Sequence, residues 1–415
     1  MTAWRPAVFV RSPATAAAAA MSCLLSAAPA GAQVAVRGDT VHTMAGPAIS
    51  DGIVLIGADG KIERVGPAAG VRVPDGYRTL RAKVVTPGLV DAHSVVGLAG
   101  YLNQPHDQMQ LDTSSAIQPD LRATDGYNPR ETLVEWLRVH GITTLHTGHA
   151  PGALVPGQTM IVKTRGDVVG DSVLVPMAAV SATLGAGGLA GEGKSPGNRS
   201  KAVAMLRAEL VKAQDYVKKM SGPEDKRPAR DLKLEALGKV VSKDVPLLVT
   251  ANRAHDILTA LRLAREFDLR VILDGGAESY LVTDQLEAAG VPVILHATMA
   301  RAGGDLENMS METAAALRRA GVPVALQSGY ETYVPKTRVV LFEAAIAAAN
   351  GLSFDQALAT VTIDAARILG VDTRVGSLEA GKDGDVALFD ADPFEYTSHV
   401  TGVVIDGVVV SETPQ

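Results

Sequence analysis

Val85-Thr86-Pro87-Gly88-Leu89-Val90-Asp91-Ala92-His93-Ser94-Val95-Val96-Gly97-Leu98 is the stretch whose reading decides the fold. Val84, Val85, Leu89 and Val90 form a short apolar run of the kind a buried strand needs, and Pro87-Gly88 interrupts it. The strand therefore begins just after the Pro-Gly pair. Asp91 and His93 follow two residues apart, so on a strand their side chains point the same way. A buried apolar strand that ends by presenting polar groups on one side suits the catalytic end of an α/β barrel.

Outward from that stretch, the 415-residue chain has room for one large domain or two smaller ones, and its 47% hydrophobic and 20% charged residues are those of a globular protein. A net charge of -6 and only 4% aromatic residues give no basis for nucleic-acid binding, neither by charge nor by stacking. Residues 1–32 read as a signal peptide. Arg5 and Arg11 supply a positive start, residues 14–28 are mostly Ala and Leu, and Ala30-Gly31-Ala32 offers a cleavage site before Gln33. Cys23, the single cysteine, lies in this segment, so the mature chain would hold none. A periplasmic or secreted location is expected. Disulfides are optional in a domain of this size. No apolar run of about 18 residues follows, so no membrane span is expected.

Residues 33–83 and 369–415 carry short strand-like pieces separated by Gly and Asp turns, with Asp406-Gly407 as a hairpin signal. Between them strand and helix patterns alternate. Strands are expected at 141–149, 160–163, 177–184, 245–252, 271–275, 291–297 and 322–328. Helices are expected near 201–219, with Ser200 as its cap, and at 254–267, 279–289, 310–320 and 353–369. The expected fold is α/β: a TIM-like (β/α)8 barrel of parallel strands over 84–368, with a small β-sandwich domain built from both chain ends.

The opening stretch resembles the first barrel strand of the amidohydrolase superfamily, in which PG, two apolar residues and D-x-H-x-H follow one another. Gly376-Ser377-Leu378-Glu379-Ala380-Gly381-Lys382-Asp383-Gly384-Asp385-Val386 is similar to that superfamily's C-terminal motif. The resemblance spans nearly the whole mature chain and is nearest to exported, imidazolonepropionase-like members. It implies hydrolysis of C–N bonds other than peptide bonds, at a zinc held on the strand ends. Position by position, however, the implied ligands are replaced. His93 keeps the first strand-one histidine, but Val95 stands at the second. Asn252 replaces the strand-five histidine, Gly275 the strand-six histidine and Gly329 the strand-eight aspartate. Ser181 stands where some members carry a strand-four lysine. A catalytic zinc takes about three protein ligands plus a water. One histidine does not suffice, so His93 is the only metal ligand left, zinc is expected to be lost, and no cofactor is expected.

Asp91, Arg253, Asp274, His296, Tyr330 and Glu331 remain as polar groups that a pocket at the barrel mouth could use. His146 and His149 also end a strand, but three residues apart they point to different faces. Gly188-Leu189-Ala190-Gly191-Glu192-Gly193-Lys194-Ser195 matches the phosphate-loop pattern, yet Pro196-Gly197 breaks the helix that such a loop needs. It reads as a loop over the mouth. Three functions stay open: a non-catalytic or structural homologue, an active hydrolase with an altered or relocated metal site, and a periplasmic small-molecule binding protein. A homo-oligomer, or a complex with a metal-containing amidohydrolase paralogue, is the expected assembly. N-terminal sequencing of the exported protein is expected to begin at Gln33; a start at Met1 would remove the signal-peptide reading.

Overall fold

The computed structural model describes residues 33–296, 298, 302–330 and 340–415; the expected signal segment and Glu331 lie outside the described residues. Both chain ends meet in one seven-stranded mixed sheet, ordered β15-β14-β13-β4-β1-β2-β3. Its strands are β1 (Val34–Val41), β2 (Ile49–Ile56), β3 (Ile62–Pro67), β4 (Arg78–Pro87), and, from the far end, β13 (Val386–Phe389), β14 (Val400–Ile405) and β15 (Val408–Ser411). β4 is the seam. It runs parallel to β1 and antiparallel to β13, with Val85 opposite Leu388.

β4 leads through Gly88 into the barrel. Gly88 donates its N–H to the Asp385 carbonyl at 2.9 Å. A Cβ at this position would lie 2.2 Å from the Thr143 hydroxyl, so only glycine lets the chain pass from one sheet to the other here. The expected apolar run is thus divided: Val84 and Val85 belong to the end sheet, Leu89 and Val90 to the barrel.

The barrel strands are β5 (Leu89–Ser94), β6 (Ile142–Gly148), β7 (Gly157–Lys163), β8 (Val173–Thr183), β9 (Leu247–Ala251), β10 (Val271–Gly275), β11 (Val293–Leu295) and β12 (Val324–Leu326). They follow chain order in one eight-stranded sheet, and a bridge from Ser94 to Gly329 nearly closes it. One expectation is corrected. β7 runs antiparallel to both β6 and β8, so the strands are not all parallel. Residues 149–156 are too few for the helical crossover that a parallel pair requires, which takes a dozen residues or more. A second correction concerns the helix Arg199–Met220. It starts before Ser200 and is capped by Asn198, whose side chain accepts from the Lys201 N–H at 2.9 Å. Ala202, Leu206, Leu210, Ala213 and Tyr216 form its buried stripe. Its start, four residues beyond Ser195, also removes the helix N-terminus that the phosphate-loop pattern needs.

The end sheet is fastened to the barrel by a buried ammonium. Lys163, at the end of β7, pairs with Asp385, with Asp383 at 3.0 Å and with Asp406 at 3.3 Å. Asp383 also takes Lys61 and Arg374. Burial pushes the Asp383 carboxyl up, but Lys163, Lys61 and Arg374 outweigh it and hold it near about 2. Burial lowers the Lys163 ammonium's affinity for its proton, and Asp385, Asp406 and Asp383 more than restore it.

Lys163→Met is expected to cost about 3–5 kcal/mol in urea unfolding, because it leaves buried carboxylates without their cation. Asp383, with its folded pKa below the unfolded value, contributes stability that is present above about pH 4 and lost as pH falls toward about 2. Asp383→Asn is therefore expected to flatten the acid limb of a stability-against-pH curve; an unchanged limb would contradict this assignment.

Candidate functional site

Two layers of side chains fill the barrel. The lower is apolar and includes Ile161, Ala179, Leu248, Ile272, Ile294 and Ala325. Two residues nearer the mouth, on the same strands or, for His296 and Gln327, immediately past their ends, stand Thr159, Ser181, Thr250, Asp274, His296 and Gln327, all buried. Strand alternation keeps each pair on one face. On β7 the order is reversed, with Thr159 before Ile161, because that strand runs the other way. β5 and β6 add His93 and His146 to the upper layer, so each barrel strand places one polar side chain there.

Asp274 is the hub of this layer. Its Oδ1 lies 2.9 Å from His93 Nδ1 and accepts from Gln327 Nε2 at 2.8 Å, and its Oδ2 accepts from Thr250 Oγ1 at 2.6 Å. Burial pushes the Asp274 carboxyl up, yet His93, Thr250 and Gln327 together hold it below the usual carboxylate range. The ionised carboxylate selects the imidazole form with its proton on Nδ1. His93 Nε2 is buried and has no hydrogen-bond partner.

The neighbouring rings are fixed as well. His146 stacks on His93 with ring centroids 5.2 Å apart. Its Nδ1 donates to the Ala92 carbonyl at 2.6 Å, so its Nε2 accepts from Thr159 Oγ1 at 2.7 Å. Burial, with His93 beside it, lowers the His146 pKa to about 3, so the ring is neutral at physiological pH. The Tyr330 ring lies 5.5 Å from His93. Burial, and then the Asp274 charge, push its phenol well above the ordinary value.

The structure brings His93, Asp274 and Tyr330 together, with Ser181 and His296 in the same layer, and gives the other expected site residues different surroundings. Asp91 serves the closing seam of the barrel: it accepts from the Ser328 hydroxyl, from the Ser328 N–H at 3.0 Å and from the His93 N–H at 3.3 Å. Burial pushes its carboxyl up to about 6 against those bonds. Val95 packs in an apolar cluster with Ala99, Ala150 and Tyr330. Ser181 sits in the polar layer, its hydroxyl buried and without a hydrogen-bond partner. His296 is buried just past β11. Arg253 is committed to the rim, bonded to Glu278 at 2.9 Å, Glu307 at 2.7 Å and the Gly304 carbonyl at 2.9 Å. Asn252 Oδ1 faces the Ala277 N–H at 3.4 Å. Gly275 and Gly329 have φ of +85° and +88°, and a Cβ on Gly275 would fall 2.5 Å from Asn252 Oδ1. His149 turns away from this layer and bonds the Gln158 carbonyl at 2.9 Å.

Thr159, Thr250 and Gln327 are the members that sequence reasoning passed over, and it placed His146 at a strand end without assigning it to the site. The available signal was positional: each lies on the inward face of a strand, one layer above a small or aliphatic residue. Among the described residues, no group of three or more His, Cys, Asp or Glu side chains is gathered as a metal-holding set.

Comparison with known proteins agrees with this architecture. Residues 292–411 match the model of the amidohydrolase family. The chain is 26% identical over 387 residues to the imidazolonepropionase of Rhizorhabdus wittichii, covering 85% of this chain and 92% of that protein. The crystal structure of an amidohydrolase from Thermotoga maritima superposes with a TM-score of 0.84 at 28% identity, over 91% of this chain and all (100%) of that one. An adenosine deaminase from Xanthomonas campestris, solved with bound zinc, shares the fold at a TM-score of 0.52 and 18% identity, over 92% of this chain and 94% of that one. With matching architecture over 91% of its length and sequence similarity to a relative over 85% of it, the chain belongs to the amidohydrolase superfamily.

Proposed function

We propose that this chain is an exported, non-catalytic amidohydrolase-superfamily protein in which the polar layer of the barrel is a structural core and not a zinc centre. The observation that carries the reading is the engagement of Asp274 by three protein donors. A carboxylate that already satisfies His93, Thr250 and Gln327 has little left for a metal. The donor set points the same way. A catalytic zinc takes about three ligands of His, Asp, Glu or Cys type and an open position. Val95 and the glycines at 275 and 329 offer no side-chain donor, and the amide of Asn252 is a poor one. The positive φ at Gly275 and Gly329 adds a backbone argument. Ligand side chains are not simply missing from these strand ends; the main chain there adopts a conformation that L residues rarely take. The residues present do not fit the zinc site of the family, so no hydrolytic step is derived through it.

Superfamily membership suggests a second reading, hydrolysis of C–N bonds other than peptide bonds. The unpartnered Nε2 of His93 favours it, since that nitrogen is free to meet a ligand. The assembly that accompanies the first reading is a self-paired chain, or a chain that supports a metal-containing paralogue.

Elemental analysis of the purified mature chain separates the two readings. The proposal expects well under one zinc per chain after exposure to zinc and gel filtration. About one zinc per chain, lost in His93→Ala, would overturn it. His93→Leu gives an independent check. It leaves the Asp274 charge buried beside fewer donors, so it is expected to lower stability by about 3–5 kcal/mol, equally with and without a chelator. A cost that appears only in the presence of zinc would support the hydrolase instead.

A further inference from the structure

A concavity lies on the opposite end of the barrel from the polar layer. It opens at the N-terminal ends of β10, β11 and β12 and has a volume of about 670 Å³. Sites for small molecules usually span roughly 300–1,000 Å³, with mostly apolar walls and a few placed polar groups. This cleft has that composition. Its floor is made by Val271, Ile272 and Val291, each 5% exposed, with Ile368 from the helix Ile363–Leu369. The walls are held by the sheet itself: the Arg270, Pro292 and Pro323 carbonyls accept from Leu247, Leu273 and Val293 at 2.9–3.0 Å.

Three cations border the apolar floor. Lys243 pairs with Asp268 at 2.5 Å, and Arg367 with Asp364 at 3.3 Å. The Arg270 side chain has no ion pair or hydrogen bond among the described residues. Cations near helix C-termini complement the helix dipole, which accounts for the sign of the charge at this end of the barrel. It does not account for an aliphatic-floored cleft bordered by a guanidinium that has no partner among the described residues.

We infer that this basal cleft binds an amphipathic carboxylate of the medium-chain acyl type. The acyl chain lies on Val271, Ile272, Val291 and Ile368, and the carboxylate meets Arg270 with Arg367 alongside. Arginine presents paired N–H groups that match a carboxylate, and the aliphatic chain leaves water for the floor. This inference uses none of the residues of the polar layer, so it stands whether or not the protein holds zinc.

The test is calorimetric titration of the mature chain with sodium octanoate, with 1-octanol as the uncharged counterpart. Octanoate is expected to bind with one-to-one stoichiometry and octanol to bind at least about tenfold more weakly, the worth of a charge-assisted hydrogen bond. Arg270→Gln is expected to weaken octanoate to the level of octanol. Ala289→Trp, at an exposed position on the wall, is expected to abolish both by filling the cleft. Thermal melts of the two variants that match the parent show that folding is intact. Absence of octanoate binding at about 10 mM, an affinity of no more than about 3 kcal/mol, would overturn the inference. So would equal binding of octanol, or binding that neither substitution changes.

Discussion

The Lys163 ammonium, buried among Asp383, Asp385 and Asp406, is the interaction on which the arrangement of the molecule depends. It joins the end of a barrel strand to the C-terminal segment, and that segment in turn completes the sheet begun by the first strands of the chain. A buried cation is tolerable only where several carboxylates converge on it, and buried carboxylates only where cations do. The cluster therefore specifies a single docking of two sheets that hydrophobic contact alone would leave free to slide. It also gives the C-terminal motif a physical meaning. Asp383 and Asp385 are two residues apart because both must reach one ammonium, while Gly384 between them leaves room for Ile56 and for the Gly60 carbonyl, 2.5 and 2.9 Å from where its Cβ would stand.

The interior of the barrel applies the same rule to a different end. A zinc site keeps a carboxylate and imidazoles only partly satisfied, so that a metal completes them. Here most of that capacity is spent internally. Asp274 is met from three strands, and His146 uses both ring nitrogens on protein groups. Each bond makes the charged or polar form tolerable in an interior that excludes water, and those accepted by Asp274 and by His146 Nε2 occupy lone pairs that a metal would require. Stability and metal chemistry compete for the same atoms. Among the described residues of the layer, His93 Nε2, the Gln327 side-chain oxygen and the Ser181 hydroxyl stand outside this accounting.

Much of the fold was legible because the barrel strands are buried on both faces. Such strands read as short apolar runs bounded by turns, and the runs at 271–275 and 142–148 fall where expected. The direction of β7 was not legible from its own residues, since alternation looks the same from either end; the short connection before it held the information. Of the site, His93 and Asp274 could be placed from the opening motif and the strand-end logic. Thr250 and Gln327 could not, because a lone Thr or Gln at a strand end has no chemical signature until a carboxylate is put beside it.

By itself the sequence determined the alternation of strand and helix, the glycine at the junction of the two sheets and the identities at the strand ends, since these follow from local sterics and from side-chain chemistry. Tertiary structure alone decided that residues as far apart as His93, Thr250, Asp274 and Gln327 share one hydrogen-bonded layer, and that Lys163 meets carboxylates more than two hundred positions away. The reason is that hydrogen bonds and ion pairs act over about 3 Å, a distance set by how eight strands close around a common interior, whereas the sequence records only the order in which those strands are made.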